Sequence, residues 1–240
     1  MKFLFRTVPV VAVLAGAALA ACDQTPPPVE LTGKVKEVVD RTKTTQATYA
    51  VYNWNEESRS GTPVLEWGAE FHSGDKHRVE TPRDRVIADC KAQTGAALSL
   101  TTGKTVEGPF VARAACGINT NKAFLAIAWQ GQVKTPFGTA DHVRLVDKDD
   151  IRTYDVTQAG VIVRSTYAQN SPEGRLGLSS EAVSVLSELP ATDMFDKASL
   201  VRSYVPDRFK TAPNLKARSS ISRGPGLHCQ ASSDPGISAT

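Results

Sequence analysis

Leu65, Trp67, Ala69 and Phe71 alternate strictly with Glu66, Gly68, Glu70 and His72. A period of two separates apolar from polar side chains only in an extended chain, so this run predicts a half-buried β-strand. Ser73-Gly74-Asp75 turns the chain, and His77 to Thr81 returns as a second strand. Further extended segments are expected at 48–54, 85–90, 96–101, 139–147, 151–156 and 160–168, and Asn55–Thr62 suits a hairpin loop. Short turns join most of these segments and no helix of crossover length separates them, which predicts an antiparallel meander. Leu31, Val35, Val38 and Val39 carry the stripe of an amphipathic helix over roughly 30–43. Ala123–Trp129 is continuously apolar, so it reads either as a strand buried on both faces or as a helix. Ser180–Leu189 is open between helix and strand, and 193–204 reads as a short helix or irregular cover. The fold class expected is α+β: a curved antiparallel β-sheet with an N-terminal helix and helical cover.

The N-terminus is of another kind. Lys2 and Arg6 precede an apolar run from Val8 to Ala21, too short to span a bilayer comfortably, as expected of a secretory signal over residues 1–21. Leu19-Ala20-Ala21-Cys22 resembles the lipobox of bacterial lipoproteins, which implies lipidation of Cys22 and attachment to a membrane facing the periplasm. Asp23 after it resembles an inner-membrane retention signal, with the outer membrane left open. Three prolines make residues 22–29 an extended tether. A single domain is expected over 30–211, and the Ser/Gly/Pro-rich 212–240 reads as a disordered tail.

The chain has 28 basic and 25 acidic side chains, but the excess lies at its two ends, and residues 22–211 are close to neutral. The sequence therefore gives no argument for a nucleic-acid partner. In an oxidising compartment Cys90 and Cys116 are the candidate disulfide, against two separately buried thiols, while Cys229 reads as a free thiol in the tail, with pairing to either of the others left open.

No nucleophile elbow, phosphate loop or dinucleotide fingerprint occurs. His72 and His77 flank a turn and could approach across it, but their spacing fits no zinc pattern and both read as solvent-exposed. Glu56-Glu57 reads as part of a loop, and Asp147, Asp149 and Asp150 crowd a turn without the glycine and terminal glutamate of a calcium loop. Neither a metal site nor a cofactor is expected. The strand aromatics make either a filled sheet core or an apolar wall left open for a lipid. Leu65, Trp67, Ala69 and Phe71 are the wall candidates.

The passage from Glu66 through His77-Arg78-Val79-Glu80-Thr81-Pro82, with Arg85–Asp89, the Thr102-Gly103 turn, and Tyr154–Val156 through Gly160–Arg164, resembles the periplasmic lipoprotein-carrier and receptor domains of the LolA/LolB-like superfamily over roughly 30–205. The resemblance implies a half-barrel-like sheet lidded by helices, holding an acyl group without catalysis. A lipid anchor departs from a soluble carrier and sits nearer to a membrane-bound receptor. The competing expectation is an envelope protein–protein interaction lipoprotein with a filled sheet core.

Overall fold

The computed structural model describes residues 27–58, 63–169 and 177–211; the signal segment, Cys22, most of the tether and residues 212–240 lie outside them. The described chain forms one open, curved antiparallel sheet of eleven strands with two helices. Helix α1 is Gly33–Thr44. Strands β1 (Tyr49–Ser58), β2 (Val64–Ser73), β3 (Lys76–Glu80), β4 (Asp84–Asp89), β5 (Thr94–Ser99) and β6 (Thr105–Glu107) step outward as one meander. Helix α2 (Pro109–Ala115) and the segment after it carry the chain to the opposite edge. There β7 (Phe124–Thr135), β8 (Gly138–Asp147), β9 (Asp150–Thr157), β10 (Ile162–Gln169) and β11 (Gly177–Leu186) step back until β11 pairs with β1.

This crossing is the main departure from the expected uninterrupted meander. The sequence gives little sign of α2, because a seven-residue helix is too short to show a period. Three other expectations change. Ala123–Trp129 falls in an edge strand, interrupted by register shifts near Phe124 and Trp129, with Trp129 44 % exposed. Such irregularities spoil an edge for pairing with another chain. Glu56 and Glu57 lie in β1, not in a loop, since β1 continues to Ser58. Ser180–Leu186 is strand, and the chain beyond it forms 3-10 turns at Asp193–Phe195, Lys197–Val201 and Asp207–Phe209.

The register gives each face its owner. Across β1 and β2, Ala50 opposes Phe71, Tyr52 opposes Ala69 and Trp54 opposes Trp67. This face packs against the 3-10 cover through Met194 and Val205, and Phe209 stacks on Tyr52 at 4.0 Å. The cover is clamped by Arg78, fully buried, which pairs with Glu80 and donates to the carbonyls of Met194 and Arg202. On the other face α1 buries Val35, Val38 and Val39 against Ile118, Phe124, Val143, Leu145 and Val156.

Helix α2 shares the α1 face and is held there by a Cys90–Cys116 disulfide, with Cα atoms 5.6 Å apart. Gly117, at φ +68°, lets the chain turn beneath α1; a Cβ there would lie 2.7 Å from the Thr42 hydroxyl. Replacing both Cys90 and Cys116 with serine is expected to destabilise the domain by about 3 kcal/mol in the chain-entropy account. Urea unfolding checks this, and an unchanged midpoint would show that packing alone seats α2.

Candidate functional site

The α1/α2 face is not filled along its length. Beneath the helices lies a cavity of about 240 Å³ lined by Thr42, Tyr49, Glu70, His77, Ala115 and Ile162 among others. It meets a second of about 190 Å³ at Glu70 and Val79. Through Asn55, Ser165 and Ser180 that one meets a third of about 310 Å³, lined also by Val64, Tyr154, Tyr167 and Leu178. The three lie in a row along β1, β2, β10 and β11, sharing these lining residues, with the first against α1 and α2.

The floor of this groove comes from the polar half of the β2 alternation. Glu70 stands between Val51 and Val79 on the neighbouring strands. Burial there raises its carboxyl to about 7, although 29 % of the side chain remains exposed. Gly68 lies beside Asn53 and supplies space, since a Cβ on it would fall 2.1 Å from Asn53 Oδ1 and 2.5 Å from Asn55 Nδ2. Asn53 is 8 % exposed, and its Oδ1 is buried without a hydrogen-bond partner. The Asn55 amide lies beside it over Gly68, so the two side-chain tips together fill the space that the glycine leaves.

At the end against α1 and α2, His72 and His77 face each other across β2 and β3, as their places around the turn suggested, but they are buried, at 3 % and 4 % exposure. The expectation of exposed histidines fails because α1 and the crossing segment cover the polar face of β2. A hydrogen-bond chain fixes their tautomers. The Thr45 carbonyl can only accept, so His72 Nε2–H donates to it at 2.9 Å. His72 Nδ1 then accepts from His77 Nδ1–H at 3.3 Å. The lone pair of His77 Nε2 is left facing the Glu70 carboxyl at 3.9 Å. Burial, reinforced by His72, lowers His77 to about 3. The two side chains therefore meet as a neutral imidazole and a readily protonated carboxyl, not as an ion pair. Tyr49 stacks on His72 at 5.1 Å, and burial holds its phenol protonated. Among the described residues no three His, Cys, Asp or Glu side chains converge as a metal site.

The four wall candidates, Leu65, Trp67, Ala69 and Phe71, all lie on the opposite face. Ala69 and Phe71 are sealed under Met194 and Val205, Leu65 and Trp67 are half-buried, and Lys210 lies 5.9 Å from the Trp67 ring. Their cover is the chain's own. Sequence reasoning did not find Asn53, Gly68, Glu70 and His77 as a group, because polar residues alternating on a strand read as a solvated face. The bare glycine between two acidic positions was the available signal.

No family model matches the chain, and no curated protein does. Among solved structures it is similar to an uncharacterised conserved protein from Thermus thermophilus, at 12 % identity over 71 % of this chain and 94 % of that one, with a TM-score of 0.46. It is also similar to a LolA superfamily protein from Nitrosomonas europaea, at 5 % identity, 69 % and 98 % coverage and a TM-score of 0.37. A third is a putative outer membrane lipoprotein-sorting protein domain from Vibrio parahaemolyticus, at 9 % identity, 70 % and 96 % coverage and a TM-score of 0.36. These are distant likenesses in the course of the chain.

Proposed function

We propose that this chain is a non-enzymatic, membrane-anchored lipoprotein of the bacterial envelope that binds the acyl part of a lipid or lipoprotein in the groove under α1 and α2. Cys22 would carry the anchor and residues 22–29 would hold the 30–211 domain off the membrane. The observation that carries the reading is the groove itself, whose end of about 310 Å³ is walled by Val64, Tyr154, Tyr167 and Leu178, with Glu66 and Arg152 among its polar lining. That is near the lower size of small-molecule sites, which are mainly apolar with a few placed polar groups. Each methylene buried there contributes about 0.8 kcal/mol before the costs of binding.

Mass spectrometry of lipid extracted from the purified protein tests this. Leu178 is 40 % exposed, so Leu178→Asp is expected to abolish lipid recovery while leaving the unfolding midpoint within about 0.5 kcal/mol of the parent. Trp67→Asp, on the covered face, is expected to leave bound lipid in place wherever the variant folds. Lipid lost with Trp67→Asp but kept with Leu178→Asp would move the site to the other face. The filled packing around Phe71 favours a second reading, an envelope protein–protein interaction module. Absence of any bound lipid would support that one.

A further inference from the structure

The cavity of about 310 Å³ draws its lining from one end of the sheet: Asn55 lies near the end of β1, Val64 begins β2, Arg152 lies near the start of β9, Tyr167 near the end of β10 and Leu178 near the start of β11. The tether joins the domain at the same rim. The Val29 N–H donates to the Phe124 carbonyl at 2.7 Å, and Phe124 begins β7 opposite Asp147, the last residue of β8. From β7 the cavity wall on β9 is two strand spacings away, about 10 Å. Arg152 reaches across part of that gap, its guanidinium 5.6 Å from the Phe124 ring. Seven residue steps separate Cys22 from Val29, so the tether reaches at most about 25 Å. The ten-residue strand β8 carries the opposite rim about 33 Å from this one. A domain held through Cys22 therefore cannot stand inverted on the opposite rim. It either stands on the tether rim or lies on its β7 edge.

The side chains choose between these two poses. Val29, Val64, Leu100 and Leu178 all stand exposed on the tether rim, and the Leu100 amide ties its turn there by donating to the Arg83 carbonyl at 2.7 Å. Large apolar side chains gathered at one end of a domain mark a contact with a membrane or a partner. On the β7 edge the exposed Trp129 commits its indole N–H to buried Asp141 at 3.2 Å. Charges on the tether rim are paired, Arg83 with Glu66 and Lys122 with Asp150, so a zwitterionic surface suffices. We infer that the tether rim is a docking surface for the lipid bilayer that holds Cys22, with the largest cavity of the groove set directly above the headgroups. This inference rests on the reading of Cys22 as lipidated and adds the pose of the domain. It does not require that the groove hold an acyl chain.

Fluorescence quenching tests this with the full chain, purified from membranes and reconstituted into phosphatidylcholine vesicles that carry brominated acyl chains. In a Cys229→Ser background an environment-sensitive fluorophore is attached through Leu100→Cys in one sample and through Thr139→Cys in another. Both positions are exposed and neither lines the groove. Leu100 follows β5, nine strand spacings from β7, so a domain lying on its β7 edge lifts it clear of the bilayer. Thr139 stands at the opposite rim, near the start of β8. The Leu100 probe is expected to be quenched at least about fivefold more strongly than the Thr139 probe, as for a surface sunk about 5–10 Å into the headgroup boundary. Equal quenching, or stronger quenching at Thr139, overturns the pose in favour of the β7 edge, and quenching at neither position overturns docking. If the chain does not stay with the vesicles, the lipidation reading falls and this inference with it. Leu100 quenching in a protein that yields no extracted lipid keeps the docking rim and removes the acyl reading of the groove.

Discussion

Arg78→Met is expected to lower stability by about 3–5 kcal/mol and to release the 3-10 cover, because it leaves a buried carboxylate without its counter-charge. Both Arg78 and Glu80 are fully buried. Arg78 Nε donates to Glu80 Oε1 at 2.7 Å, Nη1 to the Met194 carbonyl at 2.7 Å and the Ser199 hydroxyl at 2.8 Å, and Nη2 to the Arg202 carbonyl at 2.7 Å. Its guanidinium also lies 5.0 Å from the Tyr204 ring. Glu80 in turn accepts from the Ser203 hydroxyl at 2.8 Å and the Tyr204 amide at 3.1 Å. Every one of these partners on the cover is more than a hundred residues away in sequence, so the pair fastens the C-terminal segment onto β3. Arg85, 3.8 Å from Glu80, offsets only part of the lost charge. The double variant Arg78→Met/Glu80→Leu should recover only the part due to the stranded charge, since the Met194 and Arg202 carbonyls and the Tyr204 amide still lose their partners. Urea midpoints give the cycle, and amide exchange over 193–209 reports the cover. An Arg78→Met loss below about 1 kcal/mol would mean that Met194, Val205 and Phe209 hold the cover by packing alone.

How far the sequence reached depends on whether a residue's environment is made locally. The alternation of β2 was legible because one strand is enough to write it, and Leu65 through Phe71 do share a face. The stripe of α1 and the pairing of Cys90 with Cys116 were legible for the same reason, one from period and one from compartment and count. What covers each face was not legible. The β2 polar face becomes a groove only because a short helix and a linker cross it between β6 and β7. The β2 apolar face is sealed by residues from Met194 to Phe209, which show no period. Arg78 and Glu80 look like ordinary exposed strand residues until that segment arrives. The ambiguity of Ala123–Trp129 was also non-local: only its place at the sheet edge, with Trp129 turned outward, separates strand from buried helix.

Two buried groups of opposite habit should partly cancel in the pH dependence of stability between about 4.5 and 6.5, and single substitutions should expose the slopes hidden there. His77 sits at about 3, below its ordinary 6.5, because burial and the nearby His72 disfavour its cation. Keeping it neutral therefore adds stability that is complete above pH 6.5 and disappears as pH falls toward 3, by up to about 5 kcal/mol. Glu70 sits at about 7, above its ordinary 4.5, because burial between Val51 and Val79 disfavours its anion. Its contribution is complete below about pH 4.5 and disappears as pH rises through 7, by up to about 3 kcal/mol. Within the shared window the two slopes have opposite sign. His77→Gln should leave the Glu70 slope opposed only by His72, so that stability at pH 7 relative to pH 4.5 drops compared with the parent. Glu70→Gln should leave the His77 slope, so that stability rises from pH 3 to 6.5 and stays level above it. His72, lowered in the same direction as His77, adds to the rising slope in both backgrounds. Urea midpoints at half-unit steps across this range decide the matter. Parallel curves for the parent and both variants would show that solvent reaches the Glu70–His77 end of the groove freely, and would remove the basis for a desolvated carboxyl there.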